Sequence, residues 1–154
     1  MLAGSFPRAA HIEGDLVGLQ IVSGYVWPGQ EPAEEARRQM RLCRTNQCLL
    51  ARSYAEAGFV PVIDYVVVSR GGVEYYRKEL APLRLHLVVL DPGAETALAR
   101  DRDRPEKTVA AAFTYLEEPL RRELAGVGLR IDSRGQTPEQ TLAAILANRE
   151  QARL

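Results

Sequence analysis

Four short apolar runs, each bounded by Gly, Pro, Asp or Arg, constrain the fold of this 154-residue chain more than any other feature. They read AAHIEGD, FVPVIDYVVVS, LRLHLVVLD and GLRID. Runs of this kind are typical of strands that are covered on both faces. Helical stretches separate them, so the alternation predicts an α/β fold in three layers, with a mainly parallel sheet and helices on both faces.

Helix boundary signals lie between these runs. Glu31–Ala57 has the length and charge pattern of one or two helices, with Pro32 near the first turn and Gly58 as the stop. A helix is predicted for Ala94–Arg102, and the segment EKTVAAAFTYLEEPLRREL continues the helical region. The last helix begins in TPEQTLAAILANRE, where Thr137 is the expected N-cap.

Composition and charge exclude several classes of protein. The chain has 20 basic and 20 acidic residues, so no net field attracts nucleic acid or an anionic membrane. No apolar run approaches the ~18 residues of a membrane span. Cys43 and Cys48 lack a second pair of metal ligands and are interpreted as free thiols of a reducing compartment. These features predict a cytoplasmic protein with no nucleic-acid or membrane partner.

The order of these segments resembles that of the P-loop small-molecule kinases, in particular the chloramphenicol phosphotransferase-like and the gluconate or shikimate kinase-like groups. HIEGDLV resembles their second strand with its acidic-Gly-Asp ending, and AGFVPVIDYVVVS resembles their Walker B strand. LHLVVLDPGAETALARDRDRPEK resembles the next strand and an arginine-rich lid, and IDSRGQTPEQTLAAILA the last strand, the loop beside the adenine and the last helix.

This resemblance extends over essentially the whole chain and implies a single P-loop kinase-like domain over residues 1–154. The implied activity is ATP-dependent phosphoryl transfer to a small hydroxylated acceptor, with ATP and Mg²⁺ as cofactors. The fold does not encode the acceptor. A non-catalytic interaction protein on a degenerate kinase scaffold is the alternative, and a nucleotide hydrolase or a nucleic-acid-processing kinase is a weaker third.

The phosphate-binding motif of that family is absent from the sequence. Its G-x-x-x-x-G-K-[ST] loop holds the ATP phosphates and Mg²⁺, whereas neither Lys78 nor Lys107 follows a glycine-rich turn. MLAGSFPRAAHIEGD aligns with the end of the helix that follows this loop in the family. An N-terminally truncated sequence is therefore expected, through a late start codon or a shortened chain. Natural loss of the loop is the alternative.

In the family a strand precedes the phosphate-binding loop, and an N-terminally truncated sequence lacks that strand as well. In the family this strand lies between the Walker B strand and the strand that follows in sequence. Without it, two strand edges lack partners, and unpaired backbone groups are costly when buried. Those edges are expected to close together, to be filled by another segment or to pair with another chain. A homo-oligomer or a poorly stable chain is the expected result.

Three carboxylates are candidates for the site that the resemblance implies. Asp15 follows the carboxyl end of a strand and is the candidate general base, with a loop or N-cap carboxylate as the alternative. Glu13 is a candidate for orienting the acceptor or a metal-bound water, although a surface Glu is nearly as well supported. Asp64 lies between PVI and YVVV, where an unpaired carboxylate is costly, so it is the candidate Mg²⁺ residue. A buried, hydrogen-bonded Asp is the alternative.

The RDRDR segment supplies the candidate lid. Arg100 and Arg104 are four residues apart and lie on one face of a helix, from which they are expected to reach the nucleotide phosphates. A solvated helix end with self-compensating charges is the alternative. His11 and His86 lie in strand patterns and are interpreted as core or edge histidines.

Overall fold

The computed structural model describes residues 1–103 and 114–154. The contacts divide the chain into two compact units, Met1–Val66 and Val67–Leu154. Each unit contains helices and one parallel pair of strands. A mixed α/β class with parallel strands is therefore confirmed, whereas a single domain over residues 1–154 stays a prediction.

The first unit is a strand-helix-strand arrangement. Strand β1 (Ala9–Glu13) leads directly into the short helix α1 (Gly14–Leu19), and the long helix α2 (Ala33–Glu56) precedes strand β2 (Val60–Asp64). The strands pair in parallel, from Ala9 opposite Val60 to Glu13 opposite Asp64. Parallel strands require a crossover, and α2 is a single helix of 24 residues within it.

The turn at Gly58 joins helix α2 to strand β2. Gly58 has a φ of 80° and donates its N–H to Ala55 O at 2.9 Å, while Phe59 donates to Tyr54 O at 2.9 Å. These two bonds form a Schellman motif, and the Phe59 ring packs edge-on against Tyr54. Arg8 stacks on Phe59 and donates to Ala57 O at 3.0 Å. The predicted stop at Gly58 is confirmed.

The buried face of α2 carries both apolar and amide side chains. The Gln39 amide accepts the Val26 N–H and donates to Gly24 O, both at 2.8 Å, so it fixes the loop before the helix. Such pairing removes the cost of burying an amide. The apolar residues buried in this unit come from strand β1, helix α1 and helix α2. They are Ile12, Val17, Ala36, Cys43, Cys48 and Ala51.

The second unit contains the remaining elements. They are the helices α3 (Arg70–Glu79), α4 (Ala94–Arg102), α5 (Glu117–Glu123) and α6 (Pro138–Ala147), and the strands β3 (Val88–Asp91) and β4 (Leu129–Asp132). The strands pair in parallel from Val88 opposite Leu129 to Asp91 opposite Asp132. The predicted helix at 94–102 is confirmed. So is the Thr137 N-cap, which forms a reciprocal capping box with Gln140.

The core of this unit lies between α3, β3 and the end of α5. Val73, Val89 and Leu124 are its buried centre. Gly128, just before β4, has a φ of 68°, and a Cβ there would lie 2.5 Å from Leu87 O. Only glycine therefore allows β4 to start this close to β3.

In the described part of the chain, both outer edges of each two-stranded pair lack a partner strand, and the edges of β2 and β3 differ in the donors that they present. Val60 donates to Arg8 O, so alternate residues of β2, Pro61 and Ile63, present their backbone to the open edge. Pro61 has no N–H to offer there. In β3, Leu87 and Asp91 accept bonds from the β4 side, so Val88 and Leu90 face the open edge with both donors intact.

The structure differs from the sequence-based expectation in strand length and helix number. The strands are shorter than the apolar runs, because β2 ends at Asp64 and residues 65–68 are not in a strand. Helices α1 and α3 were not predicted. Within the described residues, no helix combines the length and apolar character that crossing a membrane requires.

Two glycines of α1 provide a test of this packing. A Cβ at Gly14 would lie 2.4 Å from the Tyr65 ring and 2.6 Å from Gln47 Nε2, whereas a Cβ at Gly18 would make ordinary contacts at 3.6 Å. We expect Gly14→Ala to lower the free energy of unfolding by about 1–3 kcal/mol through overpacking. Gly18→Ala should raise it by up to about 1 kcal/mol through helix propensity. Urea unfolding measures both, and equal effects would contradict the packing.

Candidate functional site

The carboxyl ends of β1 and β2 bring Glu13 and Asp64 together. They are the last residues of their strands and are partners in the parallel register. Ligands of open α/β sheets bind at this end of the strands. Both side chains are exposed, at 53% for Glu13 and 78% for Asp64. The register therefore creates a paired acidic edge that is open to solvent.

The imidazole of His11 lies beside both carboxylates. Its Nδ1 is 3.7 Å from Glu13 Oε1, and its Nε2 is 3.8 Å from Asp64 Oδ2. Sequence reasoning treated His11 as a core or edge histidine and missed this position. The period of two along a strand could have found it, because His11 and Glu13 share one face of β1.

The expectation that Asp64 is buried inside a strand is wrong. Its position at the carboxyl end of a strand remains consistent with a ligand site. The apolar neighbours indicated a carboxylate within a strand, where desolvation would require a metal or a partner. The strand instead ends at Asp64, and the side chain is exposed. No desolvation cost requires compensation, so the metal role has to rest on position alone.

Asp15 lies in the first turn of α1, beyond Glu13, which is the N-cap residue. It is therefore neither the N-cap nor a loop residue. A carboxylate in a first turn interacts favourably with the helix dipole. Asp15 is exposed and follows the paired acidic edge by two residues, so three carboxylates belong to one strand-helix junction and its neighbouring strand.

A buried polar network contacts the junction between β1 and α1 at Gly14. Cys43 Sγ donates to Gly14 O at 3.2 Å, and Gln47 Nε2 donates to Cys43 Sγ at 3.2 Å. The Tyr65 hydroxyl is hydrogen-bonded to the same thiol. Burial raises the pKa of Cys43 and of Tyr65, and the nearby Asp15 carboxylate adds to both increases. The start of α1 is thus held by neutral side chains.

The described residues contain no group of three or more His, Cys, Asp or Glu side chains arranged to hold a metal ion. Mg²⁺ does not need such a group, since it keeps several waters and is bound by one or two carboxylates together with substrate phosphates. The exposed oxygens of Asp64 and Glu13 fit that pattern. The sequence contains no G-x-x-x-x-G-K-[ST] motif, which holds the ATP phosphates in P-loop proteins.

Arg100 has partners within the second unit. Its Nη2 donates to Ser133 O at 2.8 Å and to Gln136 O at 3.2 Å, so it connects α4 to the loop between β4 and α6. These bonds to main-chain oxygens give Arg100 a structural role that sequence reasoning did not predict. Asp101 beside it is only 6% exposed, unlike a fully solvated helix end. The second lid candidate, Arg104, lies outside the described residues.

A second acidic strand end in this unit is neutralised by arginine. Asp91 accepts bonds from Arg121 Nε at 3.0 Å and Nη2 at 3.2 Å, and from Arg130 Nη1 at 3.0 Å. The bond from Arg121 is the main cause that lowers the pKa of Asp91 below its usual value. Asp91 therefore differs from the exposed carboxylates of the first unit, since its charge is already satisfied.

Removal of the Arg100 side chain distinguishes a clamp from a lid. Arg100→Ala leaves two main-chain oxygens without their donor, so we expect a loss of about 1 kcal/mol in the free energy of unfolding. The neighbouring exposed Arg102 is the matched control, and Arg102→Ala should change stability by less than about 0.5 kcal/mol. Chemical denaturation of both variants measures this, and an Arg100→Ala protein as stable as the control would contradict the clamp.

Comparison of the sequence with known protein families and curated proteins does not identify a family for this chain. No family model matches the chain, and no curated protein matches it significantly in sequence. The functional proposal therefore rests on the residues and geometry described above.

Proposed function

We propose that this chain carries the acceptor-activating and lid elements of an ATP-dependent phosphotransferase of the P-loop small-molecule kinase type. The acceptor is a small hydroxylated compound. The single observation that carries the proposal is the pairing of Glu13 with Asp64 at the carboxyl ends of two parallel strands, followed at once by Asp15.

The chemistry of phosphoryl transfer assigns a role to each carboxylate. Transfer requires positioned phosphates, a metal ion and a residue that accepts the proton of the attacking hydroxyl. Asp15 is the proposed base, because it is exposed and the start of its helix is held by the hydrogen bond from the Cys43 thiol to Gly14 O. Glu13 orients the acceptor hydroxyl. Asp64 holds Mg²⁺ through water, as one or two carboxylates suffice for this ion.

Strand pairing supports the same proposal. The family resemblance predicts one further strand between β2, the counterpart of the Walker B strand, and β3. The observed pairings are β1 with β2 and β3 with β4, and both pairs are parallel. Neither β2 nor β3 has a partner strand on its outer edge in the described part of the chain, and the further strand would bind there. A three-layer fold, with helices on both faces of a parallel sheet that includes this further strand, is part of the proposal.

One observation favours the alternative, a non-catalytic interaction protein on the same scaffold. The guanidinium of Arg100 donates to the main-chain oxygens of Ser133 and Gln136, so it already makes a structural contact within the protein. A scaffold without phosphoryl transfer would keep such a clamp. Catalysis therefore depends on Arg104 or on another cation for charge on the moving phosphoryl group.

The reading frame upstream of codon 1 tests the proposal most directly. We expect a G-x-x-x-x-G-K-[ST] motif roughly ten to fifteen residues before Met1, as the phosphate loop requires. A frame that encodes no such motif would favour the non-catalytic alternative. The protein translated with that motif should release ADP from ATP in the presence of Mg²⁺ and one member of a panel of small hydroxylated compounds.

In the chain that carries this loop, Asp15→Asn separates a base from a structural carboxylate. The amide keeps the shape of the side chain but accepts no proton, so turnover should fall by ~10²–10⁴-fold with nucleotide affinity unchanged. Glu34→Gln is the matched control, because Glu34 is also an exposed carboxylate in a first helical turn. Turnover and Mg-ATP affinity are measured for both variants. Near-normal turnover of Asp15→Asn would return the base to Glu13 or to none.

A further inference from the structure

A cleft of about 400 Å³ lies in the second unit, at the amino end of β4. Helix α3 contributes Arg70 and Arg77, the turn 126–128 forms another side, and Arg153 and Leu154 complete it. The carboxylates assigned to phosphoryl transfer, Glu13, Asp15 and Asp64, belong to the first unit, and none of them lines the cleft.

Three arginines line the cleft. In the described part of the chain, the guanidinium groups of two of them, Arg70 and Arg77, have a hydrogen-bond or ion-pair partner. Arg70 Nη2 donates to Ala125 O at 2.8 Å, which fixes its guanidinium beside the turn. Arg77 is 3.3 Å from Glu74, so this pair is electrically compensated. For the Arg153 guanidinium, no hydrogen bond or ion pair exists among the residues described. Guanidinium groups bind carboxylate and phosphate oxygens through paired N–H donors.

The turn adds main-chain donors to these cations. Val127 donates its N–H to Leu124 O and Leu129 donates to Leu87 O. The N–H groups of Gly126 and Gly128, which both line the cleft, have no acceptor within the described residues. Main-chain N–H groups of turns are among the donors with which proteins bind anions.

Part of the cleft lining is apolar. Val127 and Leu154 are partly exposed and pack against the core of the unit, to which the buried Val73 belongs. Small-molecule sites combine apolar surface with a few polar groups that fix the orientation of the ligand. The side chains that line the cleft carry a net positive charge, since the three arginines outnumber the one carboxylate, Glu74.

We propose that this cleft binds a small molecule in which an oxyanion, a carboxylate or a phosphate monoester, is attached to an apolar group. Arg153 and Arg70 bind the oxyanion together with the amides of Gly126 and Gly128. The apolar group lies on Val127 and Leu154. The proposal is independent of phosphoryl transfer and holds whether or not the chain is catalytic.

Amide NMR shifts of the ¹⁵N-labelled chain test the proposal at constant ionic strength. The probes are benzoate and phenyl phosphate, which distinguish the two oxyanions, and inorganic phosphate, which lacks the apolar group. We expect saturable shifts at Gly126 and Gly128 with one of the aromatic probes and a Kd below about 10 mM, the range open to a small anion held by a few charged hydrogen bonds. Inorganic phosphate should bind more weakly than the aromatic probe.

Arg153→Gln should weaken binding by at least about fivefold, because a charge-assisted bond is lost. Its main chain and fold should be unaffected, since the side chain has no partner among the described residues. Arg84→Gln is the matched control, because Arg84 is an exposed arginine of the same unit outside the cleft. Shifts that stay linear with both aromatic probes, equal weakening by the two variants, or equal affinity for inorganic phosphate would each overturn the proposal.

Discussion

The turn at Gly58 determines where the acidic side chains of the first unit lie. Its Schellman motif ends α2 at a fixed residue, and the stacked Arg8 and Phe59 hold the start of β1 beside the start of β2. The pairing of Ala9 with Val60 follows from this turn, and the pairing of Glu13 with Asp64 follows four residues later. A slip of one residue would move one of the two carboxylates to the other face. The geometry of the candidate site therefore depends on a helix cap at the opposite end of the strands.

Local signals in the sequence were sufficient for helix ends and insufficient for strand ends. Gly58 and Thr137 act through bonds to residues at most five positions away, so their effect is readable from the sequence. Strand length depends on where a partner stops. The apolar run after Asp64 continues to Val68 without a paired strand, and hydrophobicity alone does not mark that limit.

Helices α1 and α3 were not predicted from the sequence because their glycines interrupt the pattern of helix-favouring residues. Each contains two glycines, which disfavour a helix when considered locally. Tertiary packing compensates for that preference, through the close approach of Tyr65 to Gly14 in one helix and the burial of Val73 in the other. The acidic residues at strand ends were predictable from the chain direction of parallel strands. The clamp made by Arg100 was not, since its acceptors lie 33 and 36 residues further along the chain.

Pro61 has a consequence for the behaviour of the chain in concentrated solution. The segment VPVIDYVVV combines high β-propensity with a single charge, a composition typical of sequences that add to one another in fibrils. Growth of such a fibril requires an unbroken row of N–H donors along the exposed edge, and Pro61 interrupts that row. The open edge of β2 is thus a poor template for aggregation, whereas the edge formed by Val88 and Leu90 has no such gap. This protection of β2 costs one hydrogen bond to any strand that pairs at its open edge.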